Sequence, residues 1–314
     1  MPLSAAFCPA GISSFFEVCR RDTAGNALSD PTRVGSRGGG FVIARGVTSR
    51  VTVRKRYRTR IQIRINSRPA PEAHTTRSAI EQLIKTAGPP LDVLAEIRVE
   101  VPIAAGFGTS AAGTLASCLA LTEAGQMPET LNEVGVAAHV AEVLNGTGLG
   151  TVSALLYGGF VLVREPGAPG VGLVDRLRFP PGHSIVCAYL GPIQTREALD
   201  ENGEHVRYES NARATLDAIS RNPTLPVFLA ESRRFGRHAG FETARITRLI
   251  STLMSAGAMG AAQNMIGEAV HAVVERSKTP RALKAVRTAF PDATVFASRI
   301  ETQGVRLLNA NAKH

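Results

Sequence analysis

The alternation of apolar and polar positions divides the chain into a β-rich opening, a helical middle and a second mixed stretch. Up to about residue 65 the apolar runs are short and separated by glycine-rich turns: Phe15 to Cys19, Gly40 to Ala44, Val47 to Val53 and Ile61 to Ile65. Such runs predict an N-terminal antiparallel sheet. From His74 to Ala87 the spacing becomes helical, through Ile80, Leu83 and Ile84, and Gly88, Pro89 and Pro90 supply the stop. Glu96 to Val101 alternates again, with Ile97, Val99 and Val101 on one side, and predicts a strand. A glycine loop, Ala104 to Ser110, then precedes a small-residue helix over Ala111 to Ala124, with Gly125 as its expected C-terminal cap. Thr130 and Glu133 have capping-box spacing and open a further helix to about Leu144. After the turn Asn145 to Gly150, Val152 to Val163 reads as a short helix and then a strand, and Glu165 to Gly172 as a hairpin or linker.

From Leu173 the order changes to a strand (Ser184 to Leu190), then helices over Asn211 to Ser220, Leu225 to His238, Ala244 to Ser255 and Met265 to Arg276. A closing strand pair is expected near Thr294 to Ala297 and Val305 to Leu308. The expected architecture is α+β in two units, 1–172 and 173–314.

Composition narrows the class. With 314 residues, 44% hydrophobic and 20% charged, the chain is large enough for two domains with substantial cores. No Trp and 5% aromatic residues imply a core built mainly from Ala, Val, Leu and Ile, with few platforms for base stacking. A net charge of +10 suits anionic partners without choosing among them. The densest basic stretch, Arg54, Lys55, Arg56, Arg58, Arg60 and Arg64, nearly alternates with Val51, Val53, Tyr57, Ile61, Ile63 and Ile65. It reads as the solvated face of an antiparallel strand pair, because nothing beside it resembles a nucleic-acid-binding module. Cys8, Cys19, Cys118 and Cys187 form no C-x-x-C pair and have no His at metal-ligand spacing, which argues against zinc or a disulfide framework and fits a reducing cytoplasm. The longest apolar stretch, Thr151 to Val163, is too short to span a bilayer and is broken by Gly158 and Gly159; the first residues carry no basic run of a signal peptide.

The chemistry concentrates in Pro102-Ile103-Ala104-Ala105-Gly106-Phe107-Gly108-Thr109-Ser110-Ala111-Ala112, between a predicted strand and a predicted helix. Free amides and the positive dipole end of a helix N-terminus attract anions, and glycines let the backbone approach phosphate oxygens. A hydroxyl on the first turn, Thr109 or Ser110, is placed to reach a phosphate-bound Mg²⁺. A P-loop is set aside because no Lys occurs from Pro102 to Leu121. A dinucleotide fingerprint fits Gly106, Gly108 and Ala111, but Pro128 and a capped helix stand where its second parallel strand belongs. A tight turn without a ligand remains the plain alternative. His139 and Glu142, three apart on the following helix, share a face, and the turn Thr147-Gly148-Leu149-Gly150-Thr151 lies close behind them. Such a pair is also compatible with an ordinary surface hydrogen bond.

The glycine loop resembles the second motif of the GHMP kinases, P-x-x-x-G-x-G-[ST]-S-A-A, at Pro102, Gly106, Gly108, Thr109, Ser110, Ala111 and Ala112. Further segments are similar to the archaeal pantoate kinase branch of that superfamily: Cys8 to Phe16, Gly35 to Phe41, Ala138 to Glu142 with Thr147 to Gly150, Met259 to Gly267, and Ile300 to Val305. The resemblance implies an N-terminal α+β domain carrying the phosphate loop and a C-terminal ferredoxin-like α+β domain, with ATP and substrate between them. It implies ATP contacts along Pro102, Ala105, Gly106, Phe107, Gly108, Thr109, Ser110 and Ala111. Mg²⁺ would be held by Ser110 and Glu142, and the substrate met by Ser36, Arg37 and His139, with Arg164 a candidate for its carboxylate. The implied reaction is ATP-dependent phosphorylation of pantoate to 4-phosphopantoate in coenzyme A synthesis. Mevalonate or homoserine as acceptor, or a nucleotide-binding relative without turnover, are the competing expectations; many kinases of this class form homodimers. One position departs from the branch. The Asp expected nine residues after Glu142, thought to take the proton of the attacking hydroxyl, is Thr151. A general base contributes about 10²- to 10⁴-fold, whereas phosphoryl transfer rests mostly on positioning and charge stabilisation. Homoserine kinases are commonly described as working without such an Asp.

Overall fold

The computed structural model describes residues 2–87, 89–191 and 205–309. The first part of the chain supplies β1 (Leu3–Cys19), β2 (Gly35–Lys55), β3 (Arg60–Ile65), β4 (Arg68–Pro69), α1 (His74–Ala87), β5 (Leu91–Val99), α2 (Thr109–Gly125), α3 (Leu131–Asn145), α4 (Thr151–Tyr157), β6 (Phe160–Glu165) and β7 (Leu173–Leu177). The remainder supplies β8 (His183–Gly191), α5 (His205–Arg221), α6 (Leu225–His238), α7 (Ala244–Ser255), β9 (Gly260–Gln263), β10 (Glu268–Glu275), α8 (Thr279–Ala289), β11 (Thr294–Ser298) and β12 (Arg306–Leu307).

The first sheet runs β12-β1-β2-β5-β3-β4, with β6 pairing the first part of β2 and β7 pairing β6. The long antiparallel ribbon of β1 and β2 is its spine, and Gly40 is essential there: a Cβ on it would strike the Ile12 carbonyl oxygen. The expected β2–β3 pair is corrected. β5 lies between them and is parallel to β3, because α1 provides the crossover that parallel strands need. The solvated reading of the basic row stands: Arg60, Gln62 and Arg64 are exposed and alternate with buried Ile61 and Ile63. Arg56 and Arg64 also meet Asp92 and Glu96 of β5. α1 has the bounds expected; Gly88, its predicted stop, lies outside the described residues. The capping box of Thr130 and Glu133 forms as expected. Gly125, expected as a cap, is instead the last residue of α2, and Gln126 takes the left-handed conformation behind it.

The second sheet has the order β11-β8-β10-β9. With α5, α6 and α7 between its first two strands and α8 between its last two, this is the βαββαβ connectivity of a ferredoxin-like unit. Two sequence expectations fail here. Met265 to Arg276, expected as a helix, contains the central strand β10. Both faces of this strand are buried, so its apolar run has no alternation to separate strand from helix. Val305 to Leu308 does not pair with Thr294 to Ala297: β12 returns to β1 of the first sheet, while β11 pairs β8. The preceding turn is tied to the same sheet by the Glu301 amide, which donates to the Val42 carbonyl of β2, and to α4 by the Val305 amide, which donates to Leu155. β9 and α8 have no counterpart in the sequence reading.

Three cores result. One lies between the first sheet and α1, α2 and α3 and consists mainly of Ala, Val, Leu and Ile, as the composition implies. A second fills the space between the two sheets and α5 and α6; Ala, Val, Leu and Ile still form most of it, as expected, and the large aromatic side chains join them there. Phe15, Phe41, Phe107, Phe160, Phe228 and Phe235 are fully buried in it, with Phe41 and Phe160 stacked 4.7 Å apart. The few aromatic residues are thus concentrated where the two halves of the chain meet, each burying a large apolar area. The third core packs α7 and α8 on the outer face of the second sheet. All four cysteines are buried free thiols, and burial pushes those of Cys8, Cys118 and Cys187 up, leaving them poor nucleophiles. Among the described residues, no helix is long and apolar enough to cross a membrane.

Candidate active site

The chain leaves β5 at Val99 and reaches α2 through backbone that only glycines adopt freely. Gly106 and Gly108 have φ of 73° and 60°, and Ala104 joins them at 57°. Gly108 is also sterically required, since a Cβ there would stand 2.6 Å from Thr151 Cγ2. It caps α2 without any side-chain hydrogen bond to the first helical amides. Those donors and the positive end of the helix dipole are left for an anion. Thr109 and Ser110 form the first turn, as the sequence implies. Phe107, Ala105 and Ala111 are buried, so their side chains serve the core and only their backbone belongs to the loop. The Phe107 carbonyl accepts from the Gly11 amide at 3.1 Å, which ties the loop to β1. Pro102 sits half-buried at the start of the loop.

The loop meets the rest of the site at Ser110. Its Oγ donates to Glu142 Oε1 at 2.6 Å, and Thr147 Oγ1 donates to the same oxygen at 2.9 Å. Thr75 of α1 bonds Thr147 in turn, at 2.9 Å. Glu142 is 2% exposed. Burial raises its carboxyl above the ordinary value of 4.5, and the hydrogen bonds from Ser110 and Thr147 pull it part of the way back. Gly148 is fixed by the same carboxylate, because a Cβ on it would strike Glu142 Oε2. The turn after α3 therefore wraps the acid it follows. One hydroxyl and one carboxylate at the head of a phosphate-type loop form a donor set suited to Mg²⁺, which takes most of its other ligands from phosphates and water.

A cavity opens beside this arrangement, lined by Ser36, Arg37, Gly150, Thr151, Ser13 and Phe41 among others. Ser36 and Thr151 thus share one wall, and Gly150 lies so close to Ser36 that a Cβ would strike its Oγ. His139 is placed elsewhere. It is 1% exposed, its Nε2–H donates to the Val34 carbonyl at 2.9 Å, and burial holds the ring below its ordinary pKa. It fixes the backbone two residues before Ser36 rather than lining the cavity. Although His139 and Glu142 share a face of α3, they reach different partners. Arg164 is also outside the cavity: it is the extra residue of a bulge between β6 and β7, is about half exposed, and pairs with Asp175 at 3.2 Å.

The sequence reading missed a buried polar chain behind the loop. Ser14 of β1 meets His271 Nε2 of β10 at 2.9 Å, and His271 Nδ1 meets Asn264 Oδ1 at 2.9 Å. All three side chains are fully buried. Asn264 backs the glycine loop, its Cβ lying 2.9 Å from where a Cβ on Gly106 would be, and the neighbouring Met265 amide donates to Ser13 at 2.8 Å. The chain thus ties the rear of the loop to the cavity wall at Ser13. Only a lone His inside an apolar run hints at it in the sequence. With Asn264 Oδ1 as acceptor, Nδ1 carries the proton and Nε2 accepts from Ser14, so the ring is neutral. Burial lowers its pKa from 6.5 to about 3. The unfolded chain therefore binds this proton first as pH falls. Stability from this group is complete above about pH 6.5 and declines by up to about 1.4 kcal/mol per pH unit below it. In an NMR titration the resonance lost in His271→Gln is expected to stay in its neutral position down to pH 4.5; a midpoint near 6.5 would contradict the buried neutral chain.

Comparison with known proteins gives the family. Residues 74–159 match the GHMP kinases N terminal domain. A pantoate kinase of Methanospirillum hungatei is 30% identical over 87% of this chain and 88% of its own. One of Thermococcus kodakarensis is 28% identical over 95% and 97%. A solved structure described as a phosphotransferase related to the CoA biosynthesis pathway superposes with a TM-score of 0.86 at 23% identity, covering 99% of this chain and 100% of that one. The chain is a small-molecule kinase of the GHMP superfamily and belongs to its pantoate kinase family.

Proposed function

We propose that the protein transfers the terminal phosphoryl group of ATP to the primary hydroxyl of pantoate, giving 4-phosphopantoate for coenzyme A synthesis. The observation that carries this reading is the Ser110–Glu142 contact at the head of the glycine loop, with the Ser36 and Thr151 cavity directly beside it. The backbone of Pro102 to Ala111 would receive the phosphates of ATP. Ser110 and Glu142 would hold Mg²⁺, which supplies charge neutralisation to the transferring group. Ser36 and Arg37 would meet the acceptor, and His139 would act through the Val34 carbonyl by fixing the segment that presents them. On this reading residues 1–172 form the nucleotide-binding unit and 173–314 the second unit, which lends β7 and β12 to the first sheet. The reaction is placed in the cytoplasm and involves no nucleic acid.

The chain's own part in the chemistry is positioning and charge placement. Amides at the start of α2 point to where phosphoryl oxygens gather charge, and the second unit backs the loop through Asn264. Thr151 is not a base near neutral pH, so the rate rests on alignment of the acceptor hydroxyl with the phosphoryl group. Purified protein given ATP and Mg²⁺ is expected to release ADP with pantoate and not with mevalonate or homoserine. Turnover of either of the others in preference to pantoate would redirect the assignment, and ATP binding without turnover on any acceptor would favour a lapsed kinase.

A further inference from the structure

Among the described side chains that line the acceptor cavity, Arg37 is the only one with a formal charge. It is held in an unusual way. Arg37 and Glu17 are direct partners across the β1–β2 ribbon. Arg37 Nε stands 3.1 Å from Glu17 Oε2, and its Nη2 donates to Oε1 at 3.3 Å. Arg213 of α5, from the other half of the chain, places its Nη2 3.1 Å from the same Oε1. Glu17 is nearly buried, whereas the Arg37 side chain is 26% exposed. A carboxylate this buried needs both cations, and together they fix the plane of the Arg37 guanidinium. A guanidinium carries five N–H donors, more than Glu17 accepts from it, and its planar fork matches a second carboxylate. The cost of immobilising a long side chain is thus met before any ligand arrives. Arg164, the other candidate, pairs with Asp175 outside the cavity.

We propose that Arg37, held by Glu17 and braced by Arg213, receives the carboxylate of the acceptor, and that this clamp selects a hydroxy acid over a neutral alcohol. The inference rests on the pantoate reading for its ligand. Arg37 is the contacting residue; Glu17 and Arg213 are positioning residues acting through it. The arrangement also makes acceptor recognition depend on the packing of α5 against β1, so the two halves of the chain build the subsite jointly.

The test is pantoate binding by calorimetry to the full chain, with steady-state kinetics alongside. Arg37→Gln is expected to weaken pantoate about ten- to hundred-fold, as loss of a charge-assisted pair does, with the KM for ATP unchanged. Arg213→Gln is expected to raise the pantoate KM by a smaller factor. The primary amide of pantoate, which lacks the charge, should bind alike to wild type and Arg37→Gln. Because Arg37→Gln leaves Glu17 with one cation, the double variant Glu17→Gln/Arg37→Gln, which removes both charges, guards against misfolding and should show the same loss. Unchanged pantoate binding in both Arg37 variants overturns the proposal, as does the loss falling on Arg164→Gln instead. Wild-type binding that depends on Arg37 without turnover would sink the kinase reading and leave the clamp standing; no wild-type binding would sink both.

Discussion

Glu142→Gln is expected to lower kcat by about 10²- to 10³-fold, the range seen when one preorganised electrostatic contact to a developing charge is removed. The substitution is nearly isosteric and keeps an oxygen to accept from Ser110 and Thr147. What it removes is the charge. Burial already disfavours that charge in the folded protein, so the neutral amide should cost little stability and melting should change little. The pH dependence follows with its sign. A carboxyl whose folded pKa is raised contributes stability that is complete below its unfolded value near 4.5 and is lost as pH rises through the folded value. Activity runs the other way, since cation binding needs the ionised form. At Mg²⁺ well below saturation the wild-type rate should therefore fall on the acid side at a pH above 4.5, whereas saturating Mg²⁺ holds the carboxylate ionised and moves the limb down; the limb should vanish from the residual rate of the variant. Half-saturation by Mg²⁺ should also move to higher concentration. Initial rates across Mg²⁺ concentration and pH decide the matter; an unchanged Mg²⁺ dependence would remove Glu142 from the metal site.

The parts of this site that the sequence exposes are those that obey local rules. The glycine loop is legible because a strand, three left-handed positions and an uncapped helix follow one another within a dozen residues. The capping box places α3, and with it Glu142, on the right side of the loop. What is hidden depends on partners distant in the chain. β10 has no visible period because its faces belong to two different cores. β12 is two residues long and pairs with a strand some 300 positions earlier, which no local pattern encodes. The same holds within the site. Arg37 and Arg164 are both arginines on strands, and only tertiary placement puts one on the cavity and the other beside Asp175. The scarcity of aromatic residues is visible in the composition, but not their concentration between the sheets.

Thr151→Asp is expected to raise kcat with pantoate by about 10²-fold, the lower end of what a general base supplies. Thr151 is the first residue of α4, lines the acceptor cavity with Ser36, and touches the position where Gly108 has no Cβ. A carboxylate there would stand between the phosphate loop and the acceptor, close enough to take the hydroxyl proton as the bond to phosphorus forms. The variant should fold, because an acidic residue in a first helical turn is mildly favourable, by about 0.3–1 kcal/mol. Two effects oppose each other. The added charge repels the phosphates of ATP and should raise the KM for ATP, while acceptance of the proton should raise kcat. Measuring the two constants separately distinguishes them, since repulsion weakens ground-state and transition-state binding alike and a base acts only in the second. A rise in kcat with a higher KM for ATP would mean that this chain is a kinase running on alignment alone. A fall in both kcat and ATP affinity would mean that the wall at Thr151 is built for a neutral side chain, and that the proton leaves by a route through none of these residues.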